Sequence, residues 1–271
     1  MRKTPALLVG AASVLALLSS AHAVPVTVTV TNNQSEGGLT LTPLYVAFHA
    51  LGFDAFSVGE GASAGIEQLA EIGVPATVRD ERLAADPNSI GAVLGAPGGF
   101  GPAPVIEPGE TATITIDVDP SDHRFMTFLS MIVPSNDTFI GLDQAVEVFS
   151  ASGDFLGRQV FEITSAFAYD AGTEVNDPFD GGAFVQGVDQ LLGTVENGVV
   201  TAATDLGAIA GLIAANGQAL DAAAVAAFFG GGSSLATITL DLAPVPVPGA
   251  LMLFGTAALG AAGLRRRAQK A

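Results

Sequence analysis

Three acidic residues stand at turns, a placement from which carboxylates can converge on one cation. Asp137 lies in Pro134-Ser135-Asn136-Asp137-Thr138-Phe139, directly after a long apolar run, where Pro and Asn turn the chain. Asp170 and Glu174 lie in Tyr169-Asp170-Ala171-Gly172-Thr173-Glu174, where Gly172 permits a bend tight enough to bring carboxylates four apart toward one point. Hard oxygen ligands on loops, without His or Cys beside them, suit Ca²⁺ at about 2.3 to 2.6 Å better than Zn²⁺ or Cu²⁺. The competing reading is that these residues cap turns on an acidic surface, a common use of Asp. The stretch Asn176-Asp177-Pro178-Phe179-Asp180-Gly181-Gly182 offers a further ligand, a weaker second site or a solvated turn, and Asp119-Pro120-Ser121-Asp122 reads in the same way. Asp122 comes near Asp137 only if a strand returns to place it there.

Other chemistry has little to work with. The chain has no Cys, no Trp, two Tyr and three His. Beyond the leader only His49 and His123 remain, and His49 ends an apolar strand as a structural histidine would. Ser130 follows His123 by seven residues but sits in an apolar run without a Gly-x-Ser-x-Gly elbow. A carboxylate pair for glycoside hydrolysis stays open, although sugar sites usually need aromatic platforms. No catalytic role is expected.

Of ten basic residues, six (Arg2, Lys3, Arg265, Arg266, Arg267 and Lys270) lie at the termini. The remaining four face all 27 acidic residues, a net charge of −23 for the folded part. Such a surface repels phosphate backbones, so nucleic acid is excluded as a partner and cations are favoured. With 49% hydrophobic residues the chain is no disordered polyanion.

The termini carry an address. Residues 1–23 run from Arg2-Lys3 through the apolar Ala6 to Leu18 to Ala21-His22-Ala23, the order of a secretory signal, and the apolar part is too short to span a bilayer. Residues 244–271 hold a Pro hinge (Val245-Pro246-Val247-Pro248-Gly249), an uncharged run to Leu264, and Arg265-Arg266-Arg267. As a helix, that run of about 16 residues covers roughly 24 Å, short for a full span. This layout resembles the PEP-CTERM sorting tail of Gram-negative bacteria, which implies an exosortase-type processing enzyme and display in the envelope or extracellular matrix. Val247 stands where a Glu is usual, so a plain C-terminal anchor is the alternative, and the membrane is met only through this tail.

Residues 24–243 must position the acidic turns. Alternation in Val26–Thr31, Thr113–Val118 and Thr237–Leu242 puts apolar side chains on one face and Thr or Asp on the other, as half-buried antiparallel strands require. Phe125–Val133 is nearly continuous in apolar residues and reads as a strand buried on both faces. Gly- and Pro-rich joints, most visibly Gly91 to Pro108, separate the runs, which points to an all-β antiparallel sandwich. One short helix is expected over Ser63–Glu71, capped by Ser63 and stopped by Gly73. Residues 181–232 turn to Ala and Gly and read as an inserted, largely helical lobe.

These residues also suggest a family. Thr42-Pro43-Leu44-Tyr45-Val46-Ala47-Phe48-His49, Phe53 to Gly59, Ala62-Ser63-Ala64-Gly65 with Leu69-Ala70-Glu71-Ile72-Gly73, Ser130 to Asp137, and Tyr169 to Glu174 resemble the spondin N-terminal domain in order and spacing. The match runs from about Val26 to Asp177, with a closing strand near Ala236 to Leu242. The resemblance implies a C2-like β-sandwich of extracellular adhesion and matrix proteins, holding a divalent cation at positions that fall on Asp137, Asp170 and Glu174. Glu174 departs from the family's usual Asp, and Phe139 fills the place of a Trp beside the first Asp. Animal members also carry cysteines, so their receptors are not carried over.

The leading expectation is a secreted or surface-displayed module that binds Ca²⁺ and uses the ordered loops for adhesion to an extracellular polysaccharide or a surface protein. Its rivals are a structural matrix protein without a specific metal site and an envelope carbohydrate hydrolase.

Overall fold

The computed structural model describes residues 23–98 and 103–244. The leader and the C-terminal tail beyond Pro244 lie outside the described residues. Among the described residues, twelve strands form two antiparallel sheets. β1 (Val24–Asn32), β5 (Thr111–Val118), β9 (Gln159–Ile163) and β12 (Ala236–Leu242) make the first, in the order β5-β1-β12-β9. The second takes β2 (Thr40–Leu41), β3 (Leu44–His49), β4 (Ile90–Leu94), β6 (Phe125–Val133), β7 (Thr138–Gly141), β8 (Val146–Glu147), β10 (Ala168–Asp170) and β11 (Thr201–Ala202). Its order is β11-β10-β7-β6-β3-β4, with β2 and β8 continuing the two flanks of β6. The expected all-β sandwich is the fold.

Alternation does what it requires. Val26, Val28 and Val30 of β1 are fully buried, as are Ile238 and Leu240 of β12, and they meet Met126, Phe128 and Ile132 of β6 in one core. The intervening threonines face outward, where Thr27, Thr29 and Thr31 pair hydroxyl to hydroxyl with Thr115, Thr113 and Thr111 at 3.0 to 3.1 Å. All of β6 beyond Phe125 is buried. Its second face lies under α1 (Ala64–Ile72), where Ile66, Leu69 and Ala70 pack with Tyr45, Leu129 and Phe139.

Helix α1 starts and stops as its sequence directs: Ser63 Oγ accepts from Ile66 N at 3.1 Å, and Gly73 takes the left-handed conformation at φ 70°. A second helix, α2 (Ala76–Ala85), follows it and corrects the expectation of one. It has no side-chain cap and its first seven residues carry only Ala76 and Val78 as apolar side chains, so the usual start signal and a continuous apolar stripe are missing. It is held through Arg82, only 3% exposed, whose Nε donates to Tyr45 Oη at 2.7 Å and whose Nη1 donates to Ser89 Oγ. The joint expected from Gly91 instead begins after β4, which pairs with β3 from Ile90 to Leu94.

In the 181–232 lobe, helix is confined to α3 (Ala222–Phe229), capped by Asp221. Elsewhere the lobe runs as turns, isolated bridges and the short β11. Gly181, Gly187, Gly207, Gly211 and Gly217 all take positive φ, which a continuous helix does not permit. The lobe is part of the fold: Ala203, Leu206, Val225 and Phe228 complete the core between the sheets. Among the described residues no helix is long and apolar enough to cross a membrane.

Candidate cation site

The end of β6 delivers the first carboxylate. The chain turns at Pro134 and Asn136 and returns as β7, leaving Asp137 fully buried at the top of the sheet. Because β10 pairs with β7, Asp170 lies opposite Thr138 and the loop 171–174 folds over Asp137. Asp137 Oδ2 accepts from Thr173 N at 2.8 Å, Glu174 N at 3.1 Å and Thr173 Oγ1 at 3.2 Å. Ala171 N donates to the Asp137 carbonyl at 3.1 Å. One carboxylate oxygen therefore organises the whole loop. The other, Oδ1, is buried without a donor.

Glu174 points into the same interior and is 6% exposed. Its Oε2 likewise has no donor. Asp170 is only half-buried and closes the loop from outside, with Oδ1 accepting from Gly172 N at 2.8 Å and Oδ2 from the Asn176 amide. Asn136 gives its amide to the Asp180 carbonyl at 2.8 Å, while its Oδ1 accepts from nothing, and Asn176 Oδ1 and Thr138 Oγ1 have no partner either.

Burial pushes the Asp137 carboxyl up to about 6, and the Asp170 charge adds to the rise against the loop's amide donors. Burial, followed by the charge of Glu71, pushes Glu174 up to about 7. Glu71 sits in the last turn of α1, its own carboxyl raised by burial.

The donors left unsatisfied are all oxygens, mostly carboxylate and amide, which is what a hard divalent cation takes and a thiophilic or imidazole-seeking metal does not. The residues present fit such an ion. Asp137 and Glu174 would hold it directly. Asp170, which retains lone pairs on both oxygens, stands at the open edge. The ion would supply the positive charge that the two raised carboxyls lack. Among the described residues, no three His, Cys, Asp or Glu side chains stand close enough to form a cage by themselves.

Spacing alone could not find three contributors. Asn136 is masked by its role as a turn former. Glu71 comes from a helix about a hundred residues away in sequence. The lobe supplies the third: Glu174 pairs with Val195, Val175 N donates to the Thr194 carbonyl at 2.8 Å, and Glu196 N to the Thr173 carbonyl at 2.9 Å. These contacts lay residues 194–198 along the acidic loop and seal Glu174.

Other sequence candidates fall elsewhere. Asp119 and Asp122 form a turn at the opposite end of β6, where Asp119 Oδ1 accepts from Ser121 N at 2.9 Å, so Asp122 does not approach Asp137. Asp177 caps a turn through Phe179 N, while Asp180 adds to the charge around Glu174. Ser130 donates to the Thr42 carbonyl at 2.7 Å, a buried structural bond. His49 is buried, with Nδ1 bonded to the Ala50 carbonyl at 2.6 Å. A cavity of about 380 Å³ beside Val133, Pro134 and Phe184 contains Glu107, whose carboxylate is taken by the Asn216 amide; it shares none of the three carboxylates.

The elements that carry the candidate carboxylates follow the order read from the sequence: strand, turn with Asp137, then the acidic loop. No curated protein matches the chain. The family model Spondin_N matches residues 34–186, which include α1, β6 and the entire acidic loop, and it covers more than half the sequence. The chain belongs to the Spondin_N family.

Proposed function

We propose that this protein is an exported adhesion module whose loops are set by a divalent cation, Ca²⁺, held by Asp137 and Glu174 with Asp170 at the rim. The family is one of extracellular, adhesion-type modules. The observation that carries the cation is the pair of buried carboxylate oxygens, Asp137 Oδ1 and Glu174 Oε2, that no donor reaches. Each such oxygen costs free energy when its carboxylate is charged unless a cation or a proton meets it. The loops so ordered would meet an extracellular polysaccharide or a surface protein, and no catalytic step is assigned.

The topology supports an outward-facing role. Leu242, at the end of β12, pairs with Val26, and Val24 pairs with Val118, which leads by a short turn into the start of β6. Asp137 follows the far end of β6, a strand about 30 Å long. The tail therefore leaves from the end opposite the acidic loops. A bacterial sorting tail, processed or retained, would leave those loops pointing away from its own membrane.

A second reading is favoured by the raised carboxyls themselves. A proton on Glu174 would also relieve the pair, giving a structural matrix protein without a metal. Thermal unfolding of the full chain in chelator, Ca²⁺ and Mg²⁺ separates the two. At free Ca²⁺ of about 100 times the dissociation constant, linkage gives roughly 2.7 kcal/mol, or on the order of 5 to 10 °C. Since extracellular sites commonly need about 10⁻⁴ to 10⁻³ M, the titration must reach millimolar calcium. A calcium-selective rise absent from Asp137→Asn supports the cation; equal curves in all three solutions reject it.

A further inference from the structure

We propose that His49 and His123 form a second metal site, one that takes a borderline transition-metal ion of the Zn²⁺ or Cu²⁺ kind on two imidazole nitrogens. It shares no residue with the acidic loops and does not rest on the calcium reading. His49 Nε2 and His123 Nδ1 are both buried, and neither has a hydrogen-bond partner. The two residues are 0% and 7% exposed, so the pair lies beneath the surface, at the end of β6 opposite Asp137.

The second nitrogen of each ring is tied to a backbone carbonyl, His49 Nδ1 to Ala50 at 2.6 Å and His123 Nε2 to Asn88. A carbonyl only accepts, so these two nitrogens carry the hydrogens, and the two bare ones keep lone pairs when the rings are neutral. An imidazole that ligates a metal is ordinarily fixed in this way, giving its other N–H to a carbonyl or a carboxylate. One residue sets both rings. Asp86, at the end of α2, accepts from Ala50 N through Oδ2 at 2.8 Å and from Asn88 N through Oδ1 at 3.3 Å. The carbonyls that orient the two imidazoles thus belong to residues held by a single carboxylate, which makes Asp86 a positioning residue.

Strand register brings the rings together. His49 pairs with Phe125 across β3 and β6, and His123 stands two residues before Phe125, which returns it to the face that His49 occupies. Such diagonal neighbours have Cβ atoms roughly 7 to 8 Å apart or less, a span that two imidazoles close around one ion at about 2.0 to 2.1 Å per nitrogen. His123 is held there by the preceding turn, its N donating to the Asp119 carbonyl at 2.9 Å. The charges of Asp86 and His123 both reach the His49 ring, and those of Asp119 and His123 reach each other. Arg82, whose charge also reaches His49, directs its guanidinium to Tyr45 and Ser89. Two neutral nitrogens select a borderline ion over Ca²⁺, which takes oxygen. Since no third His, Cys, Asp or Glu among the described residues completes a cage, water would fill the remaining positions.

The test is thermal unfolding of the full chain with Zn²⁺ for the parent, His49→Phe and His123→Gln, all in millimolar Ca²⁺ so that the ion competes for carboxylates. Phe keeps a ring at position 49 and Gln keeps an amide donor for the Asn88 carbonyl, while each removes one ligating nitrogen. The parent is expected to gain about 3 to 5 °C in Tm at free zinc of about ten times the dissociation constant, and each variant to lose that gain. A gain kept in both variants overturns the proposal and assigns the ion to His22 or to carboxylates, and a gain lost in one variant alone overturns the pair. No gain in the parent overturns it too, and leaves the two lone pairs to a shared water. Where a variant fails to fold, nitrogen NMR of the parent decides: zinc is expected to move the His49 Nε2 and His123 Nδ1 resonances together, and two unmoved resonances overturn the proposal. The calcium response of the acidic loops is read separately, so failure of either site leaves the other standing.

Discussion

The carboxylate of Glu174 occupies the place that a side chain at residue 193 would take: a Cβ built on Gly193 would lie 2.2 Å from Glu174 Oε1. Gly193 carries no left-handed φ, so the constraint is contact alone. Gly193→Ala must push the carboxylate aside, and with it one of the two bare oxygens. The expected result is a folded protein whose calcium-induced rise in Tm is at least halved, measured by thermal unfolding with and without chelator. An unchanged calcium response would show that Glu174 is no ligand.

The raised carboxyls give a signed pH dependence. Asp137 and Glu174 titrate near 6 and 7 when folded, against roughly 3.9 and 4.3 in an unfolded chain. Folded protein therefore holds more protons between these values. Their contribution is fully present below about pH 4 and is lost as pH rises through 6 and 7. In chelator, Tm is expected to decline from pH 5 to pH 8, and millimolar calcium is expected to flatten that decline. A chelator curve that rises over this interval contradicts the buried pair.

His49 acts with the opposite sign. Burial lowers its pKa, the Ala50 carbonyl occupies Nδ1, and Nε2 has no partner. Its contribution is present above about pH 6.5, the ordinary value, and is lost as pH falls below it. The Tm difference between His49→Phe and the parent is expected to move in favour of the variant as pH falls from 6.5 to 5. A parallel curve would assign acid sensitivity elsewhere.

Arg82 ties α2 to the sheet through Tyr45 and Ser89 while itself almost fully buried. Arg82→Ala leaves the Tyr45 hydroxyl in a dry interior without that bond. The expected cost is roughly 2 to 4 kcal/mol, on the order of 10 °C in Tm. Calcium should still raise Tm by the parental increment, because Arg82 lies away from the acidic loop. A variant that unfolds at the parental temperature would show α2 to be an appendage.

How far the sequence could be read follows from whether a signal is local. The Val/Thr alternation of β1, the unbroken run of β6 and the Ser63 and Gly73 caps are properties of adjacent residues, and each element appears where they place it. Helix α2 escapes because only Val78 gives it an apolar anchor, while Arg82, the other buried residue, reads as a surface residue until Tyr45 and Ser89 are seen around it. The acidic loop is legible from Gly172 and the spacing of Asp170 and Glu174. That Glu71 faces Glu174 and that Gly193 seals it depend on pairings across about 100 and 20 residues, which no spacing encodes. The Ala/Gly composition of the lobe hides its task in the same way, since Phe228 and Leu206 matter only once the core they close exists.

Asp137 combines two duties that a single substitution can separate. Its Oδ2 organises the loop by accepting from Thr173 and Glu174, while its Oδ1 faces the site unpaired. Asp137→Ala removes both and strands two amides, so loss of fold is the expected result. Asp137→Asn keeps an acceptor for the loop amides and replaces the bare, charged oxygen with a neutral amide. At pH 8 in chelator, where both carboxylates of the parent are ionised and repel, Asp137→Asn is expected to melt above the parent. In millimolar calcium the order is expected to reverse, because only the parent gains from the ion. A variant that melts below the parent in both solutions would mean that the charge on Asp137 stabilises the loop without any cation.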